Sequence, residues 1–267
     1  YMSLKEVLAV APIGFKVQHT IYSAIEYLAF SNSTKEDVFI LRHFLNFLMS
    51  SLLFIIFYKI LRLRFSKFLA TIGLLMIILS PKIFSDYYYN PNDIWAFFSS
   101  ALITFCTLYF IKKGKLKYFY FLSLVFALAI NTRLIFIYLY FLFILIFFIK
   151  NKFSVDKELF KKIFLQLFLF LFFLYLITPQ LWINFFGLFE TFIKQLSFPQ
   201  DSMVYFWGKY QRSSELPIFY IFIWMFISIP IIYIFLFFVG LFICIFELRE
   251  KKLSPQNYDL IFVLLYL

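Results

Sequence analysis

An all-α fold, a polytopic transmembrane helix bundle with amphipathic interfacial helices on its outer face, is predicted by three properties of this sequence. Of its 267 residues, 64% are hydrophobic and only 15% charged, too little charge to cover a soluble domain of that size. The apolar residues gather in long runs separated by short polar segments, the pattern of membrane-crossing helices. The cations, 25 Lys and Arg against 14 Asp and Glu, cluster between alternate runs as they do in cytoplasmic loops. That distribution accounts for the net charge of +11 without a nucleic-acid partner. Cys106 and Cys244 both lie inside apolar runs, where a thiol behaves as a small hydrophobe and no disulfide or metal pattern follows.

The elements follow in order. Residues 1–37 read as an outer interfacial segment: Val17, Ile21, Ile25 and Leu28 make one apolar face opposite His19, Ser23 and Glu26, so the segment lies on the bilayer rather than crossing it. Six spans are expected within 38–178, at 38–61, 68–84, 94–111, 118–130, 134–149 and 163–177. Residues 179–217 form a long outer loop. It opens with Phe185, Phe189, Phe192 and Leu196 on one side and Asn184, Thr191, Lys194 and Gln195 on the other, and closes in a polar surface loop, FPQDSMVYFWGKYQRSSELP. A further span is expected at 218–246, and another begins within 260–267. The chain starts without a signal peptide and stops inside an apolar run, as a piece of a longer protein would.

The runs flanking Asn131-Thr132-Arg133 are short enough to be drawn as one long helix. Charge argues for two, because Lys112, Lys113, Lys115 and Lys117 precede them and Lys150, Lys152, Lys157, Lys161 and Lys162 follow. Both clusters belong inside, so an even number of crossings separates them and Arg133 is outside. The same alternation puts 85–93, which has no Lys or Arg, in an open outer loop. Nine of the fourteen acids then lie outside, and no predicted span carries one near its middle. A proton-coupled transporter needs such a mid-membrane acid.

Polar chemistry is therefore expected at the outer interface, above all in SPKIFSDYYYNPNDIWAFF, residues 80–98. Asp93 opens the helix expected from Ile94, where it either caps that helix or orients a polar substrate or metal ion at the bundle mouth. Asp86 is either a solvated loop acid or part of the same rim. Tyr87, Tyr88 and Tyr89 sit at the depth of the interfacial aromatic belt or stack on a sugar ring. Arg133 either snorkels to the interface or meets a lipid phosphate. Arg42 and His43 lie one turn into the first span, where a buried Arg needs Glu36 or Asp37 as partner. Lys82, Lys209 and Arg212 are outer cations that matter only if they converge.

In order, RHFLN (42–46), SPKIFSDYYYNPNDIWAF (80–97), INTR (130–133), TPQLWIN (178–184), FWGK (206–209) and LPIFYIFIWMFISIP (216–230) resemble the GT-C glycosyltransferases over about 38–246. The likeness is to the branch of protein O-mannosyltransferases and lipid A aminoarabinose transferases. The resemblance implies a multi-span enzyme of a bacterial inner or plasma membrane with its site facing outward. Such an enzyme moves a sugar, with inversion, from a polyprenyl-phosphate donor to a glycan, lipid or protein acceptor. It implies that Asp93 occupies the acidic position that opens a helix in these enzymes and Arg133 an outer basic position suited to the carrier phosphate. Lys82, Asp86, Tyr89, Lys209 and Arg212 join them as substrate-binding residues. The principal catalytic aspartate of such enzymes lies in the first outer loop. Residues 1–37 hold no matching Asp-Glu pair, since Glu36-Asp37 abuts the next span, so that acid and a first span are expected upstream and residues 1–267 alone are expected to be inactive. No cofactor is assigned: outer acids suit a divalent cation, but no ligand spacing supports one. The competing readings are a polyprenyl-linked saccharide flippase or transporter, which needs a polar track across the bilayer, and a structural membrane subunit.

Overall fold

The computed structural model describes residues 35–151, 156–178, 180–183, 186, 190, 193, 202–250 and 261–262. The amphipathic stretches expected within 1–37 and 184–196 lie, almost entirely, outside these residues. The all-α expectation holds. Four described helices, Phe39–Arg62, Asp93–Lys113, Lys157–Ile177 and Ile231–Arg249, are long and apolar enough to cross a membrane, and one bent pair makes a fifth candidate.

Helix α1 (Lys35–Arg62) carries Glu36 and Asp37 in its first turn and Lys59 and Arg62 in its last, charges that complement the helix dipole. The span expected at 68–84 is instead two helices, α2 (Lys67–Ile78) and α3 (Pro81–Tyr89), bent by 65°. Pro81 is the cause: it has no N–H to continue α2, pushes Ser80 to an extended backbone, and starts a new helix at its first position. Residues 85–89, expected in an open loop, are thus the second half of α3. Helix α4 (Pro91–Lys113) also starts on a proline and ends at Gly114, whose φ of +66° is the left-handed helix stop.

Helix α5 (Leu116–Thr132) ends at Arg133, whose φ of −149° and ψ of 125° are extended. A 3-10 turn, Leu134–Phe136, leads into α6 (Ile137–Lys150). The chain therefore breaks where the lysine distribution required it to. Helix α7 (Lys157–Ile177) begins six residues before its expected start, because Asp156 caps it by accepting the Leu159 N–H at 2.6 Å. After the short α8 (Gln180–Ile183), the segment expected as a surface loop contains a hairpin, β1 (Met203–Phe206) with β2 (Lys209–Arg212). The span expected at 218–246 is broken at Pro230 into α9 (Tyr220–Ser228) and α10 (Ile231–Glu250).

Helix α5 is the centre of the bundle, packed between α4 and α7, with α1 on the far side of α4. Around it the rings of Phe119 and Phe147 lie 4.3 Å apart, and those of Tyr140 and Phe170 4.4 Å. In lipid such packing gains no hydrophobic free energy, so polar pairs help to set helix register. Ser123 donates to the Gln166 backbone carbonyl at 3.0 Å, Tyr140 to Gln166 Oε1 at 2.7 Å, and Asn131 Nδ2 to Thr178 Oγ1 at 3.1 Å. Helix α10 buries none of residues 231–249 and is joined to α2 through Tyr233, which donates to the Met76 carbonyl at 2.6 Å.

The two ends of the bundle differ in charge. At one end Lys112 donates to the Leu63 carbonyl, and Lys150 donates to those of Phe110 and Ile111 at 3.3 and 3.1 Å. The other end gathers His43, Asp86, Asn90, Asp93 and Arg133.

Candidate functional site at the α3–α4 corner

Asn90 is the pivot of that second end. Because Pro91 fits the first helical position, α4 starts three residues earlier than expected and Asn90, not Asp93, is its N-cap. Asn90 Oδ1 accepts the Asp93 N–H at 3.2 Å, and Asn90 Nδ2 donates to Asp93 Oδ2 at 2.7 Å. Asp93 is thus at the third helical position, with its carboxylate tied to the cap rather than acting as one. The same Asn90 amide reaches Asp86 Oδ1 at a long 3.5 Å, and Lys82 bridges to Asp86 Oδ2 at 2.8 Å. From the α5–α6 break, Arg133 Nη2 pairs with Asp93 Oδ1. Lys82, Asp86, Asn90, Asp93 and Arg133 form one chain of contacts.

The energetics separate its two ion pairs. Asp93 in the first turn of α4 and Arg133 at the end of α5 each complement a helix dipole. Lys82 in the first turn of α3 and Asp86 in its last each oppose one. With a cation four residues before the anion, the Lys82–Asp86 pair also has the weaker of the two helical orientations. The stability of α3 therefore does not account for this pair. The Asp93 and Arg133 side chains are 48% and 42% exposed, so their pairing contributes at most about 1 kcal/mol to folding and leaves both charges accessible.

The corner is held from behind by α1. His43 Nδ1 donates to the Tyr88 carbonyl at 2.6 Å, and Asn46 Nδ2 donates to the same oxygen at 3.1 Å. Those two residues are one helical turn apart, and the carbonyl they share belongs to the last turn of α3, where no helical partner exists. The three tyrosines divide their roles. Tyr87 is buried and donates to the Ile78 carbonyl, freed by the α2–α3 break, at 2.9 Å. Tyr88 stacks on Phe47, with centroids 5.8 Å apart. Tyr89 is 74% exposed and stands edge-on to His43.

Five of the residues expected at the site, Lys82, Asp86, Tyr89, Asp93 and Arg133, meet at this corner. Lys209 and Arg212 sit on β2 of the hairpin, and the chain from Lys82 to Arg133 runs without them. Arg42, expected buried, is exposed, because the face of α1 that packs on α3 is the one carrying His43 and Asn46. Asn46 and Asn90 were not singled out from the sequence. The Asn-Pro pair at 90–91 was a readable cap signal, whereas a lone Asn in an apolar helix was not. Among the described residues no three His, Cys, Asp or Glu side chains come together as a metal-ligand set.

Residues 30–183, more than half of the chain, match the family described as dolichyl-phosphate-mannose-protein mannosyltransferase. That stretch contains α1 to α7 and every residue of the corner. No curated protein and no solved structure matches the chain. With its apolar helices and this match, the chain is an integral membrane protein that belongs to the dolichyl-phosphate-mannose-protein mannosyltransferase family, a family of GT-C type.

Proposed function

We propose that this protein transfers a sugar, with inversion, from a polyprenyl-phosphate-linked donor to an acceptor on the extracytoplasmic face of a bacterial inner or plasma membrane, and that the α3–α4 corner is part of the site. The observation that carries this reading is the exposed Asp93–Arg133 pair at the less basic end of the bundle. In the reaction the acceptor hydroxyl oxygen bonds to the anomeric carbon and gives up its proton to a carboxylate acting as general base. The bond from that carbon to the carrier phosphate breaks, and the phosphate leaves with the electron pair. Arg133 has five N–H donors, and pairing with Asp93 occupies one Nη2. The remainder serve the phosphate as it takes up charge. Asp93, held by Asn90 and Arg133, supplies a fixed negative charge beside a sugar ring that becomes electron-poor. Tyr89 offers an exposed ring face at the rim.

The test is transfer of radiolabelled mannose from polyprenyl phosphate by the purified full-length protein in proteoliposomes, with the anomeric configuration of the product read by NMR. Movement of the labelled carrier lipid across the bilayer with no new glycosidic bond would replace the transferase reading with the flippase one.

A further inference from the structure

The hairpin takes no part in the corner, yet it has a specific build. Phe206 lies opposite Lys209, so Trp207 and Gly208 alone make the turn. Their φ values are +50° and +79°, the type I′ pattern that Asn-Gly fills best. Gly208 is at home there, but a bulky side chain is not. Trp207 is the one non-glycine residue at positive φ among the described residues. A strained backbone at an exposed tip is kept when the side chain it presents has a use.

That tip is apolar and aromatic. Trp207 is 73% exposed and Tyr210 71%. Tyr205 pairs with Tyr210 and Met203 with Arg212, which puts these four on one face, with the two tyrosine rings 5.1 Å apart. The tip is also continuous with an exposed apolar surface. The Phe206 ring lies 5.2 Å from that of Tyr220, and Trp207 lies 6.1 Å from Phe219, at the start of α9. Helix α9, YIFIWMFIS, has no buried residue and no charge, a composition that meets acyl chains. Rings at the end of such a helix stand at headgroup depth, where Trp and Tyr are favoured. Lys209 and Arg212, both exposed, complement lipid phosphates there.

We propose that the hairpin Met203–Arg212 docks on the lipid headgroup layer, with Trp207 as its anchor and Lys209 and Arg212 against lipid phosphates. The anchor rests on no step of the transfer reaction, so either can fail without the other.

The test uses the full chain in nanodiscs, with Trp95, Trp182 and Trp224 changed to Phe so that Trp207 alone fluoresces. Bromine on the upper acyl chain should quench it, and aqueous iodide should quench it weakly. Full iodide quenching without bromine quenching would overturn the proposal, and so would shielding from iodide by a soluble oligosaccharide alone. A second variant does not depend on the triple substitution. Trp207→Asn suits the turn backbone and should leave the protein folded. Modification of Lys209 by a water-soluble amine reagent, read by peptide mass spectrometry, should then rise several-fold. Unchanged modification of Lys209 would overturn the anchor.

Discussion

Arg133, at the C-terminal end of α5, forms an ion pair with Asp93 in the first turn of α4, forty positions earlier in the chain. The pair joins the ends of two helices that pack together along the bundle. Neither residue is buried by doing so, which is the condition for a charge pair that a substrate can engage.

Asp93→Asn tests the acid without removing a cap, because Asn90 supplies the cap. Asparagine can still accept from Asn90 Nδ2, and the lost helix-dipole interaction costs about 0.3 to 1 kcal/mol. Folded full-length protein should persist in detergent, while its single-turnover transfer falls by roughly a hundredfold, about 2.7 kcal/mol of barrier. Transfer at the wild-type rate would take Asp93 out of the site.

Arg133→Ala should weaken binding of a polyprenyl-phosphate donor with little change in thermal stability, since an exposed pair contributes at most about 1 kcal/mol. Arg133→Lys should restore only part of the affinity, because an ammonium lacks the planar fork. Equal donor binding by all three proteins, measured by titration in nanodiscs, would leave Arg133 as an interfacial cation only.

Asn90 separates capping from charge. Asn90→Ser should be tolerated, and Asn90→Ala should cost about 0.5 to 2 kcal/mol of stability. Asn90→Asp keeps a capping oxygen but sets a third carboxylate against Asp86 and Asp93 and loses the amide that donates to them. It should melt below Asn90→Ser, and a melting temperature as high as that of Asn90→Ser would contradict this account.

His43 and Asn46 donate to one oxygen, so their contributions should not add. Each alanine substitution alone leaves the Tyr88 carbonyl one donor. The double substitution leaves it no side-chain donor, in a last helical turn that offers no backbone partner. A thermal-unfolding cycle should therefore show the double variant losing more than the sum of the singles. His43→Asn, which keeps a donor near the Nδ1 position, should recover part of the loss.

Tyr140 and Gln166 form a buried pair in the bundle core. Tyr140→Phe strands Gln166 Oε1, and Gln166→Leu strands the Tyr140 hydroxyl. Replacing both removes the polar demand altogether, so the double variant should be at least as stable as either single one. The coupling expected inside a membrane is about 0.6 kcal/mol, and a coupling of zero in a double-mutant cycle would remove the pair from the account of helix register.

Composition by itself determined the class of this protein, because a chain with so little charge cannot cover a water-soluble surface. The spacing of lysines by itself determined that the chain breaks around Arg133, since like-charged loops must lie on the same side. The residue types of the corner were legible too: Asp86, Asp93, Lys82, Tyr89 and Arg133 all stand out against apolar surroundings. What sequence left open was which of them meet. Whether Arg133 faces a lipid or Asp93 depends on how α4 packs on α5, and no local rule sets that rotation. The bend at Pro81 turned an expected loop into helix α3, because its last turn finds hydrogen-bond partners on α1, over forty residues away. That partnership made His43 and Asn46 part of the corner. It exists only in the tertiary structure, where a carbonyl left over by one helix is satisfied by the side chains of another.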